Sequence, residues 1–262
     1  MKYPVLLSII ILSLCAGLLI GCGLDPDAAG QESTLEAEEA DVCNRPVKVV
    51  FQQDKTGSAT EHYTPQFALA DLEPLFDGLQ RCGGELAVGL INQQSNRTLT
   101  RLFLPEPSLN APPRKPSENG NPFYVKEAMA AYEDSLTVYQ QEQNLLARES
   151  QARIDTFKAR AATLLESAPD AKRTDVWGAV RRAELLLAEP DHGWTQPPQK
   201  YMVIISDALD NAKAPPVEVP LKSGATVVLV NGAPTLGSLE ALEPVRFESI
   251  SSAIRYITQA ER

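Results

Sequence analysis

Three separate stretches of this chain place oxygen-bearing side chains at the ends of apolar segments, and together they could hold a hard cation. The first is Asp54-Lys55-Thr56-Gly57-Ser58, just after the apolar run that ends near Phe51. The second is Thr174-Asp175, which opens an apolar-patterned stretch reaching Ala188. The third is Asp207, which with Ser206 closes the wholly apolar run from Tyr201 to Ile205. A divalent ion such as Mg²⁺ prefers oxygen ligands and keeps several of its waters, so short hydroxyls and two carboxylates can hold it without enclosing it. Each stretch also has a plainer use. Asp, Thr, Gly and Ser are ordinary turn residues, Thr174 can serve as a helix N-cap, and Asp207 can cap a short turn. The conjunction favours the ion, because every stretch falls where open α/β sheets bind ligands, at the carboxyl ends of strands.

Other chemistries find little support. His62 and His192 are the only histidines and lie far apart; each reads as a surface or helix-start residue. No Ser-His-Asp arrangement, phosphate-cradling glycine loop or Cys-x-x-Cys pair is visible. Trp177 and Trp194 read as core and loop packing. The formal charge is -10, but seven acids and no Lys or Arg fall between residues 24 and 42, so the remainder is only mildly acidic. Without a basic stripe to neutralise phosphates, nucleic acid is not expected as a partner.

The elements that must position these side chains alternate. Strands are expected at Pro46–Gln53, Glu85–Ile91, Thr98–Leu104 (an edge strand), Tyr201–Ile205 and Ala225–Val230. Helices are expected at Thr64–Gln80, with Pro65 in the first turn, at Thr174–Ala188 and at Ile250–Gln259. Gly83-Gly84 breaks the first of them. Wholly apolar short strands separated by helices predict a doubly wound, mostly parallel sheet covered on both faces. Residues 105 to 122 hold six prolines and read as a loop. Phe123 to Ser167 lacks Gly and Pro and favours helix; unbroken, it would reach roughly 65 Å. Its apolar residues gather at two ends, Met129, Tyr132, Leu136 and Tyr139, then Ile154, Phe157, Ala161, Leu164 and Leu165. The polar middle, Gln140 to Gln151, is therefore expected to stand off the domain or to bend.

Asp54, Thr56, Ser58, Thr174 and Asp207 occur in the order and at the element boundaries of the metal-ion-dependent adhesion site, so the chain resembles von Willebrand factor A domains over about residues 46 to 260. The resemblance implies that Thr56, Ser58 and Thr174 touch the ion through their hydroxyls, while Asp54 and Asp207 act nearby or through water. It also implies an open coordination position, filled by an acidic side chain of a protein partner. Mg²⁺ is the first expectation for the ion, with Mn²⁺ or Ca²⁺ as alternatives. Two departures stand out: Thr56 replaces the usual first Ser, and Ala208 follows Asp207 where the family often has Gly. Residues 105 to 170 read as an enlarged connection inside the domain.

At the N-terminus, Lys2 precedes an apolar run from Val5 to Ile20. At about 16 residues it is short for a membrane span but suits a secretory signal. It closes on Leu19-Ile20-Gly21-Cys22, which resembles the lipobox of bacterial lipoproteins and implies lipidation of Cys22. Gly23 after the cysteine implies outer-membrane sorting, facing the periplasm. The expected organisation is a signal peptide over 1–21, an acidic tether over 22–42 and the α/β domain over 43–262. Removal of Cys15 and lipidation of Cys22 leave Cys43 and Cys82, each just before one of two neighbouring strands; they suggest a disulfide, two buried thiols being the alternative.

The functional expectation is a membrane-tethered binding module, not an enzyme. One alternative is a scaffold acting through the helix over 123–167. Another is a phosphatase of the haloacid dehalogenase type, for which Asp54 would be the nucleophile. That chemistry needs a second acid two residues on as proton donor, and Thr56 stands there.

Overall fold

The structure is a computed structural model that describes residues 45–61, 64–93, 95, 99–107, 111–167, 173–191, 193–208, 221–230 and 237–259. The expected signal peptide and tether (residues 1–42), Cys15, Cys22, Cys43, His62 and His192 lie outside the described residues. The fold is mixed α/β. Its elements in chain order are β1 (Val47–Asp54), α1 (Gly57–Glu61), a 3-10 turn (Leu69–Leu72), α2 (Glu73–Cys82), β2 (Gly84–Ile91), β3 (Leu99–Leu104), α3 (Pro122–Leu165), α4 (Val176–Leu187), β4 (Gln199–Ile205), β5 (Thr226–Val230), a second 3-10 turn (Gly237–Leu242), β6 (Val245–Phe247) and α5 (Ile250–Gln259). The six strands form one sheet in the order β3-β2-β1-β4-β5-β6. All pairings are parallel except β2 with β3, which is antiparallel and leaves β3 at the edge.

The alternation of side chains along each strand divides the core in two. Val47, Val49 and Phe51 of β1 point to one face with Tyr201, Val203 and Ile205 of β4, packing on α2, the last turns of α3, and α5. Val50, Met202 and Ile204 point to the other face, against Val176, Ala179, Val180, Ala183 and Leu187 of α4. Strands buried on both faces are apolar throughout for that reason. Gly84 lets β1 and β2 approach closely, since a Cβ there would lie 2.4 Å from the Val47 carbonyl oxygen.

Four features differ from the expected elements or were missed. The helix expected over Thr64–Gln80 does not begin at Thr64; the chain stays irregular to Ala68, forms the 3-10 turn and enters α2 at Glu73, with Pro74 in the first turn. The cause is the buried Gln53 side chain, which accepts from the Phe67 amide at 2.9 Å and donates to the Pro65 carbonyl at 3.3 Å. Those bonds keep 65–67 out of a helix while Phe67 stacks on Phe51, ring centroids 5.2 Å apart. Second, β6 is three residues long, too short and too exposed to give an alternating signal. Third, α3 is continuous, with no break at Gln140–Gln151. Fourth, the part standing off is the whole stretch before Ile154, not its middle: Met129, Tyr132, Leu136 and Tyr139 are only half-buried, and the buried residues are Ile154, Phe157, Ala161 and Leu165. Among the described residues no helix is long and apolar enough to cross a membrane. Cys82 is disulfide-bonded; Cys43, its expected partner, lies outside the described residues.

Candidate functional site

β1 and β4 are adjacent parallel strands, with Gln53 opposite Ile205 in register. Strands β2 and β3 extend the sheet to one side of them and β5 and β6 to the other. A reversal of strand order of this kind opens a crevice at the carboxyl ends of the two central strands. Asp54 ends β1, and Ser206-Asp207 follows β4. The turn after β1 is fixed by the Lys55 amide, which donates to the Ile91 carbonyl at 3.1 Å. Gln53 adds a bond from its amide group to the Asp54 carbonyl at 3.0 Å.

The side chains in the crevice form one connected set. Asp54 Oδ1 accepts from the Thr56 amide at 2.9 Å and from Thr56 Oγ1 at 2.6 Å. Asp54 Oδ2 accepts from Ser206 Oγ at 2.6 Å. Thr56 Oγ1 lies 3.2 Å from Ser58 Oγ and 3.1 Å from Thr174 Oγ1. Asp54, Thr56, Thr174, Ser206 and Asp207 are buried, and Ser58 is half-buried. The five residues singled out in the sequence therefore meet at one edge of the sheet, although Thr174 and Thr56 are 118 positions apart. Burial pushes the Asp54 carboxyl above its ordinary value; bonds from Ser206 and Thr56 pull it down, and the neighbouring Asp207 carboxylate pushes it up again. The Lys55 ammonium is held below its ordinary value by burial.

Thr174 reaches Thr56 because its neighbour is anchored. The Asp175 amide donates to the Asn92 carbonyl at 3.0 Å, and Asp175 Oδ1 accepts from the Gly178 amide at 2.8 Å, capping α4. Ser95, in the β2–β3 connection, donates through Oγ to the Asp175 carbonyl at 2.6 Å. The loop carrying Thr174 is thus pinned to the end of β2. Asp175→Ala should cost about 1 kcal/mol in urea unfolding, the usual loss of a side-chain N-cap. It should also loosen Thr174 against Thr56, visible as faster amide exchange at residues 174–176.

Ser95 and Gln53 position this site without a distinguishing sequence signal, whereas Ser206 had one, its place between an apolar strand and an acid. Ala208 explains a local oddity. Its φ of 60° lies in the left-handed region, where a glycine is unstrained, and its amide donates to Ser206 Oγ at 3.0 Å. Relief of strain worth roughly 1–2 kcal/mol is offset in Ala208→Gly by a lost buried methyl, about 0.8 kcal/mol, and by chain entropy of about 0.5–1 kcal/mol. Ala208→Gly should therefore unfold within about 0.5 kcal/mol of the parent. Ala208→Val, β-branched at positive φ, should lose about 2 kcal/mol or more in the same measurement.

No protein-family model and no curated protein matches the chain. Among solved structures, it is similar to proximal thread matrix protein 1 of the mussel byssus, with 11% sequence identity and a TM-score of 0.36, over 82% of this chain and 48% of that one. The chain spans about half of that protein's length, and at this score the likeness carries no argument.

The donor set itself can be tested for fit to a cation. Two ligand oxygens on adjacent corners of an octahedron, each 2.0–2.1 Å from Mg²⁺, lie about 2.9 Å apart. Thr56 Oγ1 stands 3.2 and 3.1 Å from its two hydroxyl neighbours, so small movements would suffice. Both Asp54 oxygens already accept from Thr56 and Ser206, which suits a carboxylate that orients hydroxyls instead of binding directly. Among the described residues no three His, Cys, Asp or Glu side chains cluster as a metal site; here the acids are two and the other donors are hydroxyls. That composition fits a hard, partly hydrated ion and not a soft one.

Proposed function

We propose that this domain is a doubly wound module of the von Willebrand factor A type that captures a protein partner through a divalent cation. The observation that carries the reading is the hydroxyl cluster of Thr56, Ser58 and Thr174, about 3 Å apart beside the Asp54 and Asp207 carboxylates. The strand order and the position of the cluster at its reversal support the same reading. Thr56, Ser58 and Thr174 would hold the ion, Mg²⁺ first among the choices, with Asp54 and Asp207 compensating its charge nearby or through water. The bound ion would supply an electrophilic position for an acidic side chain of the partner. Asp54 keeps the Thr56 hydroxyl turned so that its lone pairs face the cluster, and Ser206 holds Asp54. The chain is further proposed to be a lipoprotein, anchored through Cys22 to the bacterial envelope.

Affinity capture tests the reading. The lipidated protein in detergent should retain a partner with 1 mM-scale Mg²⁺ (a concentration of order 10⁻³ M, near the range in which hydrated Mg²⁺ sites fill) and release it with a chelator. Asp207→Ala should retain nothing in either condition. Retention that is unchanged by chelator and by Asp207→Ala would contradict metal-dependent capture.

A further inference from the structure

The long helix points in a definite direction, and that direction matters if the chain is lipid-anchored. α2 runs from the site end of the sheet back to its opposite end, because it follows the β1 turn and delivers the chain to the start of β2. Two contacts order α3 against it. Gln151 accepts from Gln80, near the end of α2, at 3.4 Å. Lys158 pairs with Glu73, at the start of α2, at 2.7 Å. α3 therefore climbs toward the site as its numbers rise, and Arg153 is level with the far end, donating to the Phe103 carbonyl opposite Glu85. Everything before it projects beyond the end of the sheet at which β1 begins. No residue from Pro122 to Arg153 is buried. At 1.5 Å per residue, the stretch from Gln151 back to Pro122 is an arm of about 44 Å.

The tip of this arm is aromatic. Phe123 is 72% and Tyr124 67% exposed, their rings 6.0 Å apart. Asn121 caps the helix there through the Phe123 amide at 3.0 Å. Exposed Arg114, Lys115 and Lys126 lie along the same arm with Glu118 and Glu127, and Lys115 pairs with Glu118 at 2.6 Å. Exposed aromatic rings beside basic side chains are the composition found at membrane–water interfaces. The polypeptide enters the domain at the same end, at Arg45, directly before β1.

We infer that the arm is a strut whose tip, Phe123 and Tyr124, rests in the headgroup region of the membrane that carries the lipid anchor, holding the hydroxyl site on the side away from it. The inference rests on the lipoprotein part of the proposed function, not on the metal. The chain between Cys22 and Arg45 can bridge at most about 75 Å when fully extended. An arm of about 44 Å therefore fits within its reach. The site, at the carboxyl end of β1, lies a further strand length away, about 26 Å. The distinctive feature is that arm, chain entry and exposed aromatics share one end, while the candidate site occupies the other.

The test uses the full lipidated chain in vesicles of phosphatidylethanolamine and phosphatidylglycerol, with acyl chains either plain or brominated. Phe123→Trp adds a reporter at the tip; Trp177 and Trp194 supply the background, measured with the unsubstituted chain. The added emission should be quenched about twofold by brominated lipid, as for a ring at the interface, while the background is not. If the chain floats with the vesicles and the added emission is the same in both lipids, the strut is wrong and the anchor stands. If the chain does not float, and Cys22 takes up no labelled fatty acid, the anchor reading falls and the strut with it. Emission that shifts only on addition of a protein partner, with no response to bromine, would also overturn the strut and assign the tip to protein docking.

Discussion

Glu85→Ala should be the most damaging single substitution away from the candidate site, costing about 3–5 kcal/mol. Lys48, opposite Glu85 in the β1–β2 register, is completely buried, and its Nζ lies 3.4 Å from Glu85 Oε2. It also donates to the Glu189 carbonyl at 3.2 Å. Glu85, equally buried, accepts from Arg101 Nε at 2.7 Å, and Arg101 reaches on to Glu189 Oε2 at 2.6 Å. Removing the Glu85 carboxylate leaves the Lys48 charge inside without its counter-ion, and desolvation of a lone charge outweighs any cavity effect. The Arg101–Glu189 portion is solvent-exposed and contributes little. At a few degrees per kcal/mol for a domain of this size, the thermal midpoint should fall by roughly 6–20 °C. The double variant Lys48→Met/Glu85→Leu should recover most of that loss, because it removes both charges together. A Glu85→Ala midpoint within about 2 °C of the parent would show that the pair is not the electrostatic keystone of this end of the sheet.

Mg²⁺ should raise the thermal midpoint of the parent chain and leave Asp207→Asn unmoved. Binding to the native state alone stabilises by about 2.7 kcal/mol at one hundred times the dissociation constant, a rise of roughly 5–10 °C. In the magnesium-free state burial disfavours the Asp54 charge most, and the Asp207 carboxylate adds to that cost. Asp207→Asn removes the Asp207 contribution with little change of shape, so without Mg²⁺ it should be at least as stable as the parent. The combination of equal or higher basal stability and a lost response to the ion separates a ligand role from a merely structural one. An equal Mg²⁺ response in parent and variant would place the ion elsewhere.

Much of the frame was legible because the sheet is buried on both faces. Strands β1, β2, β4 and β5 stand out as apolar runs, and α5 was readable because its buried residues Ile250, Ala253, Ile254 and Ile257 recur at helical spacing. The candidate site residues could be picked out because each follows or precedes such a run, so an error of one or two residues in an element boundary did not matter. What stayed illegible depends on single long-range bonds. Nothing local says that the Gln53 side chain will hold Pro65 and Phe67 out of a helix, nor that Ser95 will clamp Asp175 from 80 positions away. The arm misleads differently. Its half-buried residues from Val125 to Ser150 recur every three or four positions, a pattern that promises core packing, yet the sheet ends before they reach it.

The oxygen cluster of Asp54, Thr56, Ser58, Thr174 and Asp207 is proposed to hold one divalent ion. Isothermal titration of Mn²⁺ and Mg²⁺ into the metal-free chain checks this. The expected result is a single saturable site in the parent protein that disappears in Asp207→Ala and in Thr174→Val. Absence of binding by either ion in a folded parent chain, or an unchanged isotherm in both variants, would contradict it.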